Sequence, residues 1–394
     1  MRTPLRFWLL ASALLALFLS PLACSSDNDS PPDPNARLRQ ALQEKLVALH
    51  ASGQYPGVTA GIVLADGTPL GIAAGVSDKS TQRPMSPDDL MMQASVGKTY
   101  VSAVAMQLLH EGKFALDDKI EKYLGNETWF GRLPNARDIT IRMLMTHTSG
   151  LVRYEYKGEF TRDLCKDAYR VWRPEELVSY LFDTKAPFAA GQGWEYSDTN
   201  YIVLGMILER VSGSTFNHEL TKRILEPLKL DRTFLADKPV LPGLVQGYAG
   251  PENIFCGVDA MLVDGKLPFN PQFEWCGGGL LSTATDLARW AKLLYEGHAF
   301  DPSRLAELVR GVPAPPLGAD LKYGLGVMIE PAGALGITYG HGGTYPGYLT
   351  RVMYFPDSHI AVAVQINSSA APNNRAAVTK IVTELAQVVV RGGS

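Results

Sequence analysis

Ser95 and Lys98 form a pair whose residue types and spacing can carry out chemistry. A serine hydroxyl is a weak nucleophile near neutral pH and needs a neighbouring base, and a lysine amine serves as that base when its surroundings lower its pKa. Residues three apart lie on one face of a helix, and the start of a helix favours developing negative charge. The pair therefore predicts a serine nucleophile that is activated by a lysine.

A Ser-x-x-Lys pair is weak evidence by itself, because about one is expected by chance in a chain of this composition. The alternative is a serine that caps a helix beside a surface lysine. Tyr196, in the stretch Tyr196-Ser197-Asp198, adds a third group. A phenol acts as a base and then as an acid when a nearby cation such as Lys98 draws off its proton. The alternative for Tyr196 is a buried tyrosine whose hydroxyl is already hydrogen-bonded.

The stretch His341-Gly342-Gly343-Thr344 falls in a predicted strand. Its two glycines leave room for a substrate backbone to bind alongside as an added strand. The amide of Thr344, together with that of Ser95, would then form an oxyanion hole for a tetrahedral intermediate. The alternative is a glycine-rich turn with a structural histidine, and the presence of the first two motifs favours the catalytic interpretation.

These three stretches, in their order along the chain, resemble the three motifs of class C β-lactamases and related serine DD-peptidases. Other stretches that resemble blocks of that family are Thr146-His147-Thr148-Ser149-Gly150-Leu151, Gly277-Gly278-Gly279-Leu280-Leu281-Ser282-Thr283 and Tyr323-Gly324-Leu325-Gly326. The resemblance covers the chain from about Gly57 to Ala371. The ordered combination is far more specific than any one of the motifs.

The resemblance implies a role for each motif residue. It implies that Ser95, Lys98 and Tyr196 are catalytic, and that the backbone amides of Ser95 and Thr344 form the oxyanion hole. It also implies that substrate is bound by residues of the second and third motifs, which are Asp198, His341, Gly342, Gly343 and Thr344. It implies neither a metal ion nor an organic cofactor.

One motif position departs from the family pattern, because residue 198 is aspartate where the family usually has asparagine. An asparagine amide accepts from the lysine and donates to an acyl-amide carbonyl of the substrate, whereas an ionised aspartate only accepts and stabilises the charged lysine. Asp198 therefore weakens the case for Lys98 as a neutral base and for recognition of a β-lactam or peptide side chain. It favours Tyr196 as the proton shuttle.

A carboxypeptidase must also bind the terminal carboxylate of its substrate, which calls for a cation or several hydroxyls near the oxyanion hole. Thr344 supplies one hydroxyl. Arg351 is the nearest basic residue along the sequence, and the register of the strands that separate it from Thr344 is left open.

The competing mechanism is that of a Ser-His-Asp hydrolase of the α/β type. That class needs Gly-x-Ser-x-Gly at a strand-to-helix elbow, and Gln93 stands where the first of these glycines belongs. We interpret His147 as structural, although serine and threonine surround it. The Ser-His-Asp mechanism is therefore disfavoured.

Hydrophobic periodicity predicts the elements that position these residues. Helices are predicted over 37–51, 95–111, 283–295 and 373–390, with shorter helical patches between 139 and 225. Strands are predicted over 57–76, as a hairpin that turns at Asp66-Gly67, and over 323–329, 337–340, 348–355 and 360–366. Strands at both ends of the chain predict one sheet that is built from both termini.

This order of elements and the resemblance together predict an α+β fold, an α/β sandwich. Helices flank an antiparallel sheet, a second and mainly helical lobe covers about 116–270, and the site lies in the cleft between them. We expect the hydrolase domain over 38–391, since 394 residues suffice for one large domain with an inserted lobe. The net charge of -3 gives no basic surface for nucleic acid, so a nucleic-acid partner is not expected.

The segment 1–23 is typical of a secretory signal peptide, because two arginines precede an almost wholly apolar run. The run ends at Leu22-Ala23-Cys24-Ser25, which resembles the lipobox of bacterial lipoproteins. Lipidation of Cys24, with a membrane anchor, and ordinary signal cleavage both stay open, and both imply export to the periplasm or the cell surface. Polar and proline-rich residues over 24–37 predict a disordered tether.

Beyond Cys24 the chain contains Cys165, Cys256 and Cys276, which allow at most one disulfide bond in an exported protein. We expect Cys256 to pair with Cys276. The sequence has no Cys-x-x-Cys or His-Glu-x-x-His spacing, so it predicts neither a zinc site nor a redox dithiol.

The sequence thus predicts an exported serine hydrolase that works through an acyl-enzyme on Ser95. D-Alanyl-D-alanine carboxypeptidase activity at the cell envelope is the first choice, with a small molecule or a peptidoglycan peptide as substrate. An esterase and a class C-like β-lactamase use the same chemistry and stay open. A penicillin-binding sensor that is acylated without turnover is the alternative from another class. The oligomeric state and the membrane that would hold an anchor are left open.

Overall fold

The computed structural model describes residues 34–250, 253 and 255–392. The predicted signal peptide over 1–23, Cys24 with its expected lipidation, and most of the predicted tether lie outside the described residues. The first helix begins at Ala36, one residue before the helix predicted over 37–51, so it overlaps the last two residues of the predicted tether. In this described part of the chain, none of the helices has the length and apolar character needed to cross a membrane.

Helices occur along the whole length of the described chain. They are α1 (Ala36–Ala51), α2 (Gly97–His110), α3 (Glu121–Leu124), α4 (Ile141–Met145), α5 (Gly158–Lys166), α6 (Pro174–Ser179), α7 (Asp198–Ser212), α8 (Phe216–Leu220), α9 (Trp275–Gly278), α10 (Ala284–Tyr295), α11 (Leu305–Leu308) and α12 (Asn374–Gly392). A π-helical turn, Thr221–Leu225, extends α8. The predicted helical patches between 139 and 225 are therefore present.

The strands lie mainly near the two ends of the chain. They are β1 (Gly57–Val63), β2 (Pro69–Asp78), β3 (Arg83–Pro84), β4 (Met91–Met92), β5 (Thr233–Leu235), β6 (Leu280–Ser282), β7 (Val312–Pro313), β8 (Lys322–Tyr323), β9 (Met328–Gly333), β10 (Gly336–Tyr345), β11 (Tyr348–Phe355) and β12 (Ile360–Ile366). The predicted hairpin is β1 and β2, and its turn contains Gly67 with a φ of 89°, a conformation that glycine adopts without strain.

Among the described residues, nine strands form an antiparallel sheet in the order β3-β2-β1-β12-β11-β10-β9-β8-β7. The first and last long strands meet inside it, with Val58 of β1 opposite Ile366 of β12 and Val63 opposite Ala361. A separate sheet has the order β4-β6-β5. The prediction of one sheet built from both chain termini is confirmed.

Helices cover both faces of the large sheet, which explains why its central strands are continuous apolar runs. Leu46 of α1 and Val382 of α12 belong to the buried cluster on one face, whereas α2 and α10 belong to the cluster on the other. Gly61 of β1 permits the close approach of α10, because a side chain there would lie 2.2 Å from the carbonyl oxygen of Ala284.

Helix α2 is buried along almost its whole length, from Gly97 to Met106 and again at Leu108 and Leu109. A helix that is apolar all round packs inside a protein rather than at its surface. Its N-terminus, where Lys98 lies in the first turn, is therefore fixed by packing on every side.

The chain between the two groups of strands is mainly helical up to residue 225. Helices α3 to α8 occupy this region, and after it come the short strand β5 and loops as far as residue 270 in the described part of the chain. The fold is thus the predicted mixture of an antiparallel sheet flanked by helices and a mainly helical region, with more loop near its end than the sequence indicated.

The predicted disulfide bond between Cys256 and Cys276 is wrong. Cys256 pairs instead with Cys165 of α5, with their Cα atoms 5.4 Å apart. Cys276 is a free, buried thiol on α9, where it packs so closely against α7 that a side chain at Gly205 would lie 2.4 Å from its Sγ. Sequence proximity favoured the wrong pair, because it gives no information on how the loop around residue 256 returns to α5.

Candidate active site

Ser95 lies in a tight turn between β4 and the buried helix α2. A single 3-10 turn, residues 94–96, precedes α2, and Ala94 adopts a φ of 49°, which residues other than glycine rarely take. Two other segments press on this turn. A side chain at Gly278 would lie 2.5 Å from the carbonyl carbon of Ala94, and a side chain at Gly343 would lie 2.1 Å from the carbonyl oxygen of Gln93. The position of the Ser95 hydroxyl is therefore fixed by contacts from two sides.

The ammonium group of Lys98 contacts the Ser95 hydroxyl directly. Its Nζ lies 3.1 Å from Oγ of Ser95 and also donates to Oδ1 of Asp198 and to the carbonyl oxygen of Gly277. A lysine ammonium has three donors, and these contacts use all of them. Because the side chain of Lys98 is fully buried, its charge depends on these partners.

Lys98 and Asp198 form a buried ion pair. Burial alone would lower the pKa of Lys98, but the Asp198 carboxylate and then Tyr196 raise it above its ordinary value. Burial alone would raise the pKa of Asp198, but Lys98 and then Arg153 hold it well below its ordinary value. Lys98 is therefore a cation and Asp198 an anion at neutral pH, as expected for an aspartate at this position.

Tyr196 reaches the same ion pair from the loop before α7. The ammonium of Lys98 lies 5.1 Å from the centre of the Tyr196 ring. The hydroxyl of Tyr196 is buried and has no hydrogen-bond partner within the described chain. Burial raises the pKa of this phenol, Lys98 lowers it in part, and Asp198 raises it again, so the phenol is protonated at neutral pH. Its unused hydroxyl can bond to an incoming group.

Arg153 and Glu155 extend this charged cluster, and the sequence analysis missed both. Nη2 of Arg153 lies 2.7 Å from Oδ2 of Asp198, while its Nε and Nη2 lie 3.2 and 3.0 Å from Oε1 of Glu155. Burial and then Asp198 raise the pKa of Glu155 well above its ordinary value, against the lowering effect of Arg153. The only signal in the sequence was their place just after the stretch 146–151, which resembles a family block.

Glu274 is a further carboxyl group that the sequence analysis missed. It ends a 3-10 turn that begins at Pro271, and it lines the same cavity as Ser95. No hydrogen bond or ion pair reaches its carboxyl group from any described residue. Burial and then Asp198 raise its pKa to about 7, against the lowering effects of Lys98 and Arg153. The site thus contains a carboxyl group whose charge changes near neutral pH.

The third motif lies on β10, as predicted. Strand β11 pairs with this part of β10, with Gly342 opposite Arg351. Strand β9 pairs only with the first part of β10, and the pairing ends at Gly340. Among the described residues, the edge of β10 from His341 to Thr344 therefore has no strand on its β9 side, and an extended substrate can add to it.

The imidazole of His341 is fully buried. Its Nδ1 lies 2.6 Å from the carbonyl oxygen of Gly342, which can only accept, so Nδ1 carries the proton and Nε2 accepts from the Tyr323 hydroxyl at 2.8 Å. Burial and then Lys98 lower the pKa of His341 to about 3. The ring is therefore neutral, and it bonds to protein groups rather than to the substrate position predicted for it.

A cavity of about 1190 Å³ brings the motif residues together. The predicted site residues on its wall are Ser95, Tyr196, Asp198, Gly342, Gly343 and Thr344. A hydroxyl, a phenol and a free strand edge on one cavity wall, with the buried Lys98 ammonium in contact with the hydroxyl, can support nucleophilic attack on a carbonyl group and stabilise the oxyanion that results. In the part of the chain that the structure describes, no group of three or more His, Cys, Asp or Glu side chains is placed to hold a metal ion.

Arg351 also lines this cavity. Its side chain crosses β10 at Gly342, where a side chain would lie 3.2 Å from Nη1, and it reaches Glu330 and the sulfur of Met328 on β9. Burial lowers the pKa of Arg351 to about 10, and its Nε has no hydrogen-bond partner within the described chain. The register between β10 and β11, which the sequence left open, places the Arg351 cation opposite Gly342, next to the free edge of β10.

His147 holds the turn that carries Tyr196. Its Nδ1 accepts from the backbone N–H of Ser197 at 3.2 Å and lies 3.0 Å from Nδ2 of Asn200. The centres of the His147 and Tyr196 rings are 4.3 Å apart. Burial and then Lys98 lower the pKa of His147 well below its ordinary value, so it is neutral and packs as an aromatic ring. Its contacts are those of a supporting residue.

The fold is that of β-lactamases and penicillin-binding proteins. A D-stereospecific amidohydrolase from Streptomyces sp. superposes with a TM-score of 0.75 at 26% sequence identity, covering 87% of this chain and 98% of that chain. The β-lactamase family model matches residues 39–387. The chain therefore belongs to the β-lactamase family, which its three motifs resemble.

Named relatives within this family differ in activity. The chain is 24% identical to a penicillin-binding protein of Bacillus subtilis (72% of this chain, 62% of the relative) and 28% identical to a D-aminopeptidase of Brucella anthropi (77% and 55%). It is 27% identical to esterase EstB of Burkholderia gladioli, over 76% of this chain and 82% of the esterase. The chain thus matches little more than half the length of the D-aminopeptidase and under two thirds of the penicillin-binding protein.

Proposed function

We propose that this protein is a serine hydrolase that cleaves amide bonds through an acyl-enzyme on Ser95, as a D-alanyl-D-alanine carboxypeptidase-type peptidase of the cell envelope. The observation that carries the proposal is the contact of 3.1 Å between Nζ of Lys98 and Oγ of Ser95, in a cavity that Tyr196 also lines. In this proposal Ser95, Lys98 and Tyr196 are the catalytic residues. The amides of Ser95 and Thr344 hold the oxyanion, and Asp198 and the Gly342–Thr344 edge bind substrate.

The proposed reaction begins when Oγ of Ser95 bonds to the substrate carbonyl carbon and gives up its proton to Tyr196 or Lys98. Collapse of the tetrahedral intermediate breaks the carbonyl–nitrogen bond, and the leaving amine takes a proton from the same pair. Water then attacks the acyl-enzyme and regenerates Ser95. Because Lys98 and Tyr196 are both protonated in the resting site, one proton must leave this pair before Ser95 can lose its own.

Arg351 supports the carboxypeptidase assignment. A terminal carboxylate needs a cation beside the oxyanion hole, and Arg351 stands opposite Gly342 with an unused Nε donor. A carboxylate that binds there would compete with Glu330 for the guanidinium.

A D-aminopeptidase or amidase activity is the second candidate. Asp198 replaces the asparagine amide that would donate to an acyl-amide carbonyl, and Glu155 and Glu274 add carboxyl groups to the same cavity wall. A relative named as a D-aminopeptidase supports the same direction. Ester cleavage, β-lactam hydrolysis and acylation without turnover use the same first step, so the test must separate them.

We further propose export to the periplasm or the cell surface, with Cys24 as a lipid anchor. This rests on the sequence of residues 1–24 alone. Labelling of producing cells with a radioactive fatty acid tests it, with Cys24→Ala as the control variant. Incorporation that persists in Cys24→Ala would remove the anchor from the proposal.

The test of the proposed function offers the protein a peptide that ends in D-Ala-D-Ala, a D-amino acid amide, a p-nitrophenyl ester and a chromogenic cephalosporin. We expect release of D-alanine and, by mass spectrometry, a transient adduct on Ser95. Ser95→Ala should lose both signals. Turnover of the ester alone would refute the peptidase assignment, a lasting adduct without product would support the sensor, and activity that survives in Ser95→Ala would remove the proposed nucleophile.

A further inference from the structure

The cavity continues past Gly342 along the free edge of β10. Strand β9 pairs with β10 only as far as Gly340, which lies opposite Met328. Met328 and Glu330 of β9 nevertheless line the same cavity as Ser95. Strand β9 and the free edge of β10 therefore border one part of the cavity, which we call the β9 notch.

Arg351 supplies a cation to the β9 notch, and one of its donors is unused. The residue is 8% exposed and lines the cavity. Its Nη1 lies 3.3 Å from the sulfur of Met328, and its Nη2 pairs with Glu330. Its Nε is buried and has no hydrogen-bond partner within the described chain. Buried donors of this kind normally have a partner, so this donor points to an anionic group of a ligand.

An apolar wall lies next to this cation. Met328 contacts Arg351 directly, and Leu317 and Leu321 line the same cavity from the loop that joins β7 to β8. All three apolar side chains are half-buried. A half-buried apolar side chain on a cavity wall keeps surface that a ligand can cover, and removing that surface from water is favourable.

The register of the outer strands brings this wall to the cation. Lys322 of β8 lies opposite Ile329 of β9. In an antiparallel pair the same register, continued by one residue, brings Leu321 beside Glu330. Glu330 is the residue that pairs with Arg351. The apolar wall and the cation therefore belong to one part of the cavity.

The loop that carries the two leucines is held in shape by its own backbone. The N–H of Ala314 donates to the carbonyl oxygen of Leu321, and the N–H of Leu317 donates to that of Ala314, both at 2.9 Å. Pro315 and Pro316 restrict the backbone further. The wall is therefore preformed, and a ligand that covers it does not have to order it.

We propose that the β9 notch binds the C-terminal residue of a peptide substrate whose last side chain is large and apolar, such as D-leucine or D-phenylalanine. The terminal carboxylate accepts from the unused Nε of Arg351, and the side chain on the same carbon covers the apolar wall. A C-terminal alanine supplies the carboxylate but leaves the wall in water. This inference rests on the proposed function, because it names the leaving residue that the carboxypeptidase site prefers.

Binding to a protein that cannot turn over tests the inference separately from catalysis. Ser95→Ala protein is titrated by calorimetry with N-acetyl-D-alanyl-D-leucine, with N-acetyl-D-alanyl-D-alanine, and with N-acetyl-D-alanyl-D-leucinamide, which lacks the carboxylate. The leucine peptide carries three more carbon atoms to the wall than the alanine peptide, so it should bind about tenfold more tightly or better. The amide should bind at least about tenfold more weakly than the leucine peptide, because it offers no charge to the guanidinium. Equal binding in either comparison, or binding of none of the three, would overturn the inference.

Two second-site variants locate the preference. Leu321→Ala and Leu317→Ala, each combined with Ser95→Ala, remove part of the wall, so each should reduce the preference for leucine over alanine by about threefold or more. Leu293→Ala in the same background truncates a half-buried leucine of α10 that does not line the cavity, and it should keep the preference. A preference retained in full by both wall variants would place the side chain elsewhere and refute the inference.

The proposed function fails on different evidence. It requires Ser95-dependent release of the C-terminal residue by the native protein, which the binding experiment does not measure. A leucine preference in binding without such release would keep the ligand of the β9 notch and remove the peptidase assignment. Release with equal kcat/KM for the leucine and alanine peptides would keep the peptidase and overturn the inference.

Discussion

Asp198 and Lys98 form a buried ion pair in contact with the Ser95 hydroxyl, and the second oxygen of Asp198 lies 2.7 Å from Arg153. The carboxylate raises the pKa of Lys98 and contributes to raising that of Tyr196. Both groups that can accept the Ser95 proton are therefore protonated in the resting site. We therefore expect the activity of the site to increase toward alkaline pH.

Replacing Asp198 by asparagine should move the activity of the site to lower pH. In the native protein kcat/KM should rise with pH throughout the range 7–10, because the deprotonated forms of Lys98 and Tyr196 become populated only above their raised pKa values. Asp198→Asn removes the charge that raises both pKa values, so the rising limb should shift downward by at least about one pH unit. The rate of p-nitrophenyl acetate hydrolysis against pH measures the shift.

The same substitution breaks a buried ion pair and should lower the free energy of unfolding at pH 7 by roughly 3–5 kcal/mol. The pKa of Asp198 is lowered on folding, so its contribution is present above the ordinary aspartate pKa and is lost as pH falls below it. Asp89→Asn is the matched control, because Asp89 pairs with Arg83 at 2.8 Å outside the cavity. The Asp89→Asn variant should have a lower free energy of unfolding and an unchanged dependence of kcat/KM on pH. An unchanged profile in Asp198→Asn would contradict the role given to its charge.

Tyr196→Phe should separate activity from stability. The hydroxyl of Tyr196 has no hydrogen-bond partner in the described chain, so its removal should change the free energy of unfolding by less than about 0.5 kcal/mol. If the phenol shuttles the proton, kcat/KM should fall about 10²- to 10⁴-fold. Steady-state kinetics and urea unfolding measure the two effects on the same preparation.

Tyr201→Phe removes a hydroxyl that is hydrogen-bonded within the protein, and it serves as the control for Tyr196→Phe. Tyr201 packs beside the same histidine ring, but its hydroxyl donates to the carbonyl oxygen of Met145 at 3.1 Å. Its loss should lower the free energy of unfolding by about 1 kcal/mol and leave the rate within a few-fold of native. Equal rate losses in both variants would show that Tyr196 acts through packing and not through its hydroxyl.

Gly343→Ala should damage the oxyanion hole. The added carbon would lie 2.1 Å from the carbonyl oxygen of Gln93, so β10 would have to move away from the turn that holds Ser95. Loss of one oxyanion donor costs about 10²- to 10³-fold in kcat. Gly333→Ala on β9 is the control, since a side chain there meets no atom within 4 Å. Kinetics with an ester substrate compare the two variants, and a native rate in Gly343→Ala would argue against the proposed hole.

The sequence predicted those parts of the fold and the site that depend on local pattern. The spacing of Ser95 and Lys98 on α2 and the glycines of β10 are local signals, and the long strands are continuous apolar runs. Arg153, Glu155 and Glu274 could not be predicted, because their contacts join segments about 45 to 180 residues from the motifs and carry no spacing rule. The sequence predicted that Asp198 stabilises the charged form of Lys98. The ion pair between Asp198 and Arg153 could be identified only from the fold.

The disulfide bond offers a prediction that does not depend on activity. Cys165 and Cys256 close a loop of 91 residues, so replacing both by serine should lower the free energy of unfolding by roughly 4 kcal/mol. Phe255, next to Cys256, packs against Phe160 and Phe273 and lines the cavity, so the variant should also raise KM. Guanidinium unfolding with and without reductant measures the first effect. Cys276→Ala should keep the reductant dependence, since Cys276 is a free thiol, and a non-reduced peptide that joins Cys256 to Cys276 would contradict the pairing.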